Sequence, residues 1–195
     1  SALFKWVFGA DWDWRSFDFD RDMPSVQERL DPIVNDATRG SLDAFVKRGG
    51  KLIIYHGLAD TLVAPRQSVA FYERHAAELG GRDKLADNAR LFLAPGMMHC
   101  GGGTGPDAFN ATLGIPPRPP SDDAKHDIFS ALIAWAEKGQ APDRIVATKY
   151  SSEDAGQIAM QRPLCPYPQK ATYRGDGPTG SAGNFLCALP SKPEP

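Results

Sequence analysis

Two short apolar runs separated by a helical pattern constrain this chain more than any other feature. Leu52-Ile53-Ile54-Tyr55, within residues 51–56, and Leu91-Phe92-Leu93 are β-rich and uninterrupted by polar residues. Runs of this kind suit strands buried in a parallel sheet. Between them, Pro65 suits the first turn of a helix running to about Leu79, with Val69, Tyr72, Ala76 and Leu79 on one stripe. Before the first run, Ser41 can cap a helix in which Leu42, Phe45 and Val46 share a face and which Gly49-Gly50 ends. After the second, a helix is expected from about Ala124 to Lys138, with Ile128, Leu132 and Trp135 toward the core. Helix, strand, helix, strand, helix is the order of an α/β fold with a mainly parallel sheet.

A length of 195 residues is enough for one domain with a sizeable core. Hydrophobic residues at 42% and charged residues at 24% are ordinary for a soluble globular protein. A net charge of -2 and a pI near 6.1 supply no basic patch, which argues against nucleic acid as a partner. No apolar run approaches the roughly 20 residues that span a bilayer, so no membrane association is expected. No signal peptide is visible, but Ser1-Ala2-Leu3-Phe4 does not look like a natural start. No internal repeat is evident.

In a parallel sheet, functional side chains sit just past the carboxyl ends of strands. Asp60 follows the first strand across Gly57-Leu58-Ala59, and His99 follows the second across Pro95-Gly96-Met97-Met98. Each alone could be an ordinary loop residue, since Ala59-Asp60-Thr61 is good turn chemistry. Together they read as the acid and base of a hydrolytic triad, in the order Ser…Asp…His that α/β-hydrolases use. A carboxylate beside a histidine fixes its tautomer and stabilises the imidazolium formed when it accepts a proton from serine. The nucleophile is missing. Ser181, in Thr179-Gly180-Ser181-Ala182-Gly183, lacks the first glycine of Gly-x-Ser-x-Gly and has no strand before it, while Ser41 and Ser68 are helix residues by pattern. His56 is expected to order the turn by hydrogen bonding, and His75 and His126 to be surface residues on helices. No Cys/His spacing resembles a zinc site, and no metal or redox cofactor is expected.

Two flanking segments differ from this core. In residues 6–22, rings alternate with Asp11, Asp13, Asp18, Asp20 and Asp22, which would separate rings and acids in an extended segment. A calcium site there would lack the glycine and terminal glutamate of an EF-hand loop, so the segment reads as a cover with a solvated acidic face. The tail from Tyr150 to Pro195 is rich in Pro and Gly and is expected to wrap the surface. Of Cys100, Cys165 and Cys187, the last two flank the Pro/Gly-rich loop Pro166 to Gly183. A bridge closing it would stabilise by roughly 3 kcal/mol and implies an oxidising compartment; two reduced thiols are the alternative. An odd count leaves one thiol for another chain or for no partner. Asn110-Ala111-Thr112 is a glycosylation sequon, a pattern common by chance.

His99-Cys100-Gly101-Gly102-Gly103 resembles the tannase and feruloyl esterase family of α/β-hydrolases. The resemblance extends to His56-Gly57-Leu58-Ala59-Asp60, where Asp60 matches the family acid. It also covers Trp12-Asp13-Trp14-Arg15 with Phe17-Asp18-Phe19-Asp20, like the segment returning from the family's lid. Arg162-Pro163-Leu164-Cys165-Pro166-Tyr167-Pro168 and Asn184-Phe185-Leu186-Cys187 resemble its disulfide-bound tail. The resemblance implies that Cys100 bonds a cysteine outside this chain, next to the catalytic serine. It also implies a lid that shapes the acyl pocket and carries a structural calcium, neither of which maps onto residues here.

These observations imply residues 1–22 as an extended segment returning from an absent lid, 23–150 as the C-terminal half of the catalytic domain, and 151–195 as its tail. The expected function is the C-terminal part of a secreted or periplasmic serine carboxylesterase acting on feruloyl, galloyl or terephthaloyl monoesters. It would act only with its N-terminal part, joined through Cys100. The alternatives are a non-catalytic fragment or binding domain, or a serine hydrolase of another family, against which Cys100 argues.

Overall fold

The computed structural model describes residues 2–34, 40–112, 116–152 and 156–191. Residues 113–115 of the expected loop, and 153–155 and 192–195 of the expected tail, lie outside these. The chain divides into two compact units, Ser1–Leu42 and Asp43–Pro195.

The first unit is helical, which corrects the expectation of an extended segment over residues 6–22. Helix α1 spans Ala2–Phe8, a 3-10 turn spans Trp14–Ser16, and α2 spans Phe19–Val34. Asp13, Asp18 and Asp22 act in caps, which is why alternation with rings does not make a strand. Asp13 Oδ1 accepts from Arg15 N at 3.1 Å, and Asp18 Oδ1 accepts from Arg21 N at 2.9 Å. Asp22 Oδ2 accepts from Asp18 N at 2.9 Å, completing a reciprocal start to α2 that resembles a capping box. Val7, Val26 and Leu30 form this unit's small core, with Phe4, Phe8, Phe17 and Met23 against it.

The second unit begins with a short helix, α3, Asp43–Lys47, which Gly49 and Gly50 close by donating to Val46 O and Phe45 O. Strand β1 is Leu52–Gly57 and β2 is Ala89–Ala94; they pair in parallel, with Leu52 opposite Ala89 and Gly57 opposite Ala94. Helix α4, Pro65–Glu78, crosses between them, followed by a short α5, Arg82–Ala86, that the periodicity had not marked. Helix α6 is Ile128–Lys138. It starts later than the expected Ala124 because Asp127 caps it, accepting from Ser130 N at 2.7 Å. Ile128 and Trp135 are buried as expected, and Leu132 is half-buried. Phe92, Met97, Phe109, Ile145 and Leu164 form the centre of the main core.

Beyond α6 the expectation of a wrapping Pro/Gly tail does not hold. Strand β3, Ile145–Tyr150, pairs antiparallel with β4, Ile158–Leu164, across the expected boundary at 150/151. Strand β5, Lys170–Tyr173, pairs antiparallel with β6, Phe185–Ala188. Parallel pairing is therefore confined to β1 and β2, and the described residues form one parallel and two antiparallel pairs rather than a mainly parallel sheet. The prolines that suggested loop lie within and beside strands: Pro163 is in β4, and Pro166 bridges to Phe92 of β2. A proline costs a strand one donor, and at an edge that loss is tolerated.

Cys165, just past β4, is bonded to Cys187 in β6, with a Cα–Cα distance of 5.5 Å. Arg162 stacks over the Phe185 ring at 4.1 Å beside it. Replacing Cys187 by serine is expected to lower the unfolding free energy by roughly 3 kcal/mol. Denaturant melts of the variant and of the parent with and without reductant measure it; a parent whose midpoint ignores reductant contradicts the expectation.

Candidate active site

The parallel register brings the two strands to an end side by side, and the loops that leave them meet over Gly57. Leu58 N donates to Ala94 O and Ala59 N donates to Met97 O, both at 2.9 Å. The approach is close enough that a Cβ on Gly57 would run into the carbonyl oxygens of Met97 and Met98. Only a residue without a side chain fits between these backbones.

From β2 the chain makes a tight excursion. Met97 bridges to Gly103, and Met98 N donates to Gly102 O at 3.2 Å, leaving His99, Cys100 and Gly101 at the tip. Cys100 adopts a φ of 60°, a left-handed conformation uncommon outside glycine. Asp107 secures the loop from below. It is buried, accepts from Gly102 N at 2.6 Å and holds Lys149 Nζ of β3 at 3.1 Å.

His99 and Asp60, 39 residues apart, are brought together: His99 Nδ1 lies 2.8 Å from Asp60 Oδ2. The Asp60 side chain is 4% exposed and that of His99 is 44% exposed. Asp60 Oδ1 accepts from Leu62 N at 2.8 Å and from Val63 N at 3.0 Å. Desolvation pushes the Asp60 carboxyl upward, but hydrogen bonds from Val63 N, His99 and Leu62 N outweigh it and hold the group well below the usual carboxylate range. The carboxylate therefore stays charged at neutral pH. An imidazole facing it through Nδ1 carries its proton there and keeps the lone pair on Nε2. A cavity of about 160 Å³ opens here, lined among others by Tyr55, His56, Asp60, Val63, His99 and Cys100. The loops beside it expose Leu58, Leu62, Val63 and Met98.

His56 belongs to the same cluster, its Nε2 lying 3.2 Å from Asp60 Oδ2 and 3.1 Å from Val63 O. Sequence reasoning placed His56 at the turn but missed Asp60 as its partner; the four-residue spacing was the available signal. Two other histidines differ from expectation. His75 is buried in α4, at 3.0 Å from both Glu78 and Arg74, because it lies on the same inward stripe as Tyr72 and Ala76. His126 is half-buried in the turn before α6, where its Nδ1 meets Asp123 at 2.9 Å. Cys100 is exposed and has no disulfide partner among the described residues. No group of three His, Cys, Asp or Glu side chains placed to hold a metal ion is found among those residues. None of the described helices is long and apolar enough to cross a membrane.

The family model for tannase and feruloyl esterase matches residues 8–188. The chain belongs to this family. Among relatives, it is 40% identical over 182 residues to the mono(2-hydroxyethyl) terephthalate hydrolase of Piscinibacter sakaiensis, covering 89% of this chain and 26% of that protein. It is 34% identical over 171 residues to a probable feruloyl esterase of Arthroderma benhamiae, covering 86% of this chain and 28% of that protein. The crystal structure of feruloyl esterase B from Aspergillus oryzae superposes with a TM-score of 0.79 at 26% identity, covering 93% of this chain and 35% of that one. The likeness is consistent with an α/β-hydrolase type of fold. The chain thus spans about a quarter of the length of these two curated relatives.

Gly57 is the point at which both site loops can be tested together. Gly57→Ala is expected to destabilise the second unit by about 1–3 kcal/mol through overpacking against backbone that cannot swing aside. Urea unfolding measures it, and an unchanged midpoint would show that the loops are not in contact there.

Proposed function

We propose that this chain is the C-terminal portion of a serine carboxylesterase acting on esters of aromatic acids, to which it supplies the acid and the base of the triad. The observation that carries this is the 2.8 Å contact between His99 Nδ1 and Asp60 Oδ2 at adjoining strand ends. Family membership and the relatives' names support ester hydrolysis, and the terephthalate and feruloyl relatives favour an aromatic acyl group. Substrates of the feruloyl, galloyl or terephthaloyl monoester type fit that chemistry. The exposed side chains of Leu58, Leu62, Val63 and Met98 give an aromatic ring apolar surface beside the base.

The upstream part of the enzyme would bring the nucleophilic serine and the oxyanion donors. Support for an upstream neighbour comes from β1. Its Leu52 to His56 are only half-buried, and β1 pairs with β2 alone among the described strands. An apolar strand with a free edge suits pairing with a further strand.

In the reaction, His99 Nε2 takes the proton of the serine hydroxyl as its oxygen attacks the ester carbonyl. The tetrahedral oxyanion collapses, the bond to the leaving alcohol breaks, and His99 returns the proton to that alcohol. Water then repeats the sequence on the acyl-enzyme, releasing the aromatic acid. Asp60 keeps the proton of His99 on Nδ1 and stabilises the imidazolium in each half-reaction. Secretion or periplasmic residence accords with the Cys165–Cys187 bridge.

His99→Ala in the enzyme complete with its upstream part is expected to abolish turnover of a chromogenic aromatic ester. Asp60→Asn is expected to reduce turnover by on the order of 10⁴ while the fold survives. Near-normal turnover by either variant overturns the assignment.

We further propose that Cys100 is bonded to a cysteine of the upstream part, adjacent to the serine. Its position next to His99, its exposure and the resemblance support this. Peptide mapping of the unreduced enzyme is expected to recover Cys100 linked outside residues 1–195. Recovery of Cys100 as a free thiol in active enzyme rejects the bridge.

A further inference from the structure

We propose that His56 is a positioning residue for the catalytic pair: it fixes the Asp60 carboxylate by donating to the same oxygen that receives His99. The proposal rests on the esterase reading above. Asp60 Oδ2 lies 2.8 Å from His99 Nδ1 and 3.2 Å from His56 Nε2. His56 Nε2 also lies 3.1 Å from Val63 O, so both its neighbours are acceptors and this nitrogen must carry a proton. The other ring nitrogen, Nδ1, lies 2.7 Å from the hydroxyl of Ser68. A serine hydroxyl can donate, which satisfies Nδ1 of a neutral imidazole without a second charge. The ring is thus held at both nitrogens, between β1, which carries it, and α4, which carries Ser68.

This arrangement adds side-chain links among β1, the Asp60 loop and α4 to the backbone bonds that already join the two strand-end loops. Oδ1 of Asp60 is fixed by its own loop, through Leu62 N and Val63 N. Among the described residues Oδ2 meets no backbone donor of that kind, and its partners there are the two imidazoles. The side chain of His99 is 44% exposed, whereas that of His56 is 11% exposed. The more enclosed histidine is the one able to hold Oδ2 in place before substrate arrives, so the direction in which Asp60 presents its charge to His99 depends on His56. Through Val63 O the same N–H also pins the end of the Asp60 loop. Ser68 extends the chain of contacts to α4, giving the order Ser68, His56, Asp60, His99. That run includes a serine, a histidine and an aspartate, but Ser68 lies within helix α4 and not on the strand-to-helix turn that presents a nucleophile. It therefore serves as an anchor.

The test compares His56→Leu, His56→Gln and His56→Asn in the enzyme complete with its upstream part, on a chromogenic aromatic ester. Glutamine places an amide N–H where Nε2 stood; asparagine is shorter and cannot reach Oδ2. His56→Leu and His56→Asn are expected to lower kcat by about 10- to 100-fold, the scale of a misplaced catalytic group. KM should stay within about twofold, and His56→Gln should regain most of kcat, as expected for an interaction that serves the chemical step. Ser68→Ala, which loosens the anchor alone, is expected to lower kcat several-fold with KM unchanged. If His56→Leu does not yield folded protein, the comparison of glutamine with asparagine decides. Equal kcat for those two, unaffected kcat in all variants, or a change confined to KM overturns the proposal. Inactive His99→Ala beside unaffected His56 variants rejects only this proposal. Active His99→Ala rejects the esterase reading beneath it.

Discussion

The carboxylate of Asp60 accepts hydrogen bonds from Leu62 N, Val63 N, His99 and His56, and the site stands or falls with that convergence. Two donors come from its own loop, one from the strand that precedes it and one from the loop after the neighbouring strand. Each contact is ordinary in strength. Collected on one buried anion they offset the cost of removing it from water, which an isolated carboxylate could not bear. The charge is thereby kept beside the imidazole of His99 at neutral pH.

The convergence depends on backbone placement. Parallel register aligns Gly57 with Ala94, so the loops leave the sheet at the same height. The absence of a side chain at Gly57 lets them touch. Asp107 then clamps the far end of the His99 loop to β3 through Lys149. The proposed catalytic role is chemistry on side chains, but the placement of those side chains comes from a strand register, a glycine and a buried acid.

Much of this was legible in the residues. The β-rich runs at Leu52–Tyr55 and Leu91–Leu93 sit in β1 and β2, and the two strand-end residues meet as expected. The pairing of Cys165 with Cys187 also matches. Legibility failed where local chemistry competed with periodicity. The aspartates of residues 6–22 mimic a period of two, yet Asp13, Asp18 and Asp22 serve helix starts. Pro163, Pro166 and Pro168 obscure β4 and its surroundings, although Ile145-Val146-Ala147-Thr148-Lys149-Tyr150 is good strand sequence. Contacts such as Asp107 with Lys149, or Ser68 with His56, join separate elements and leave no trace in spacing. His75 shows the limit of judging by residue type, since a polar side chain on an inward stripe is buried when its neighbours satisfy it.

Tyr167 N donates to Leu91 O at 2.7 Å, next to the bridge between Pro166 and Phe92, so the tail supplies an antiparallel rung against β2. Pro168 follows, and with no N–H it cannot extend that rung by donating. On this flank the sheet has a built-in stop, held in place by the disulfide one residue earlier. The two flanks then differ: among the described strands β1 has a free edge, while the β2 flank is finished with a segment unsuited to recruiting another chain. A region that reads as a trailing appendage thus closes one flank of the parallel pair.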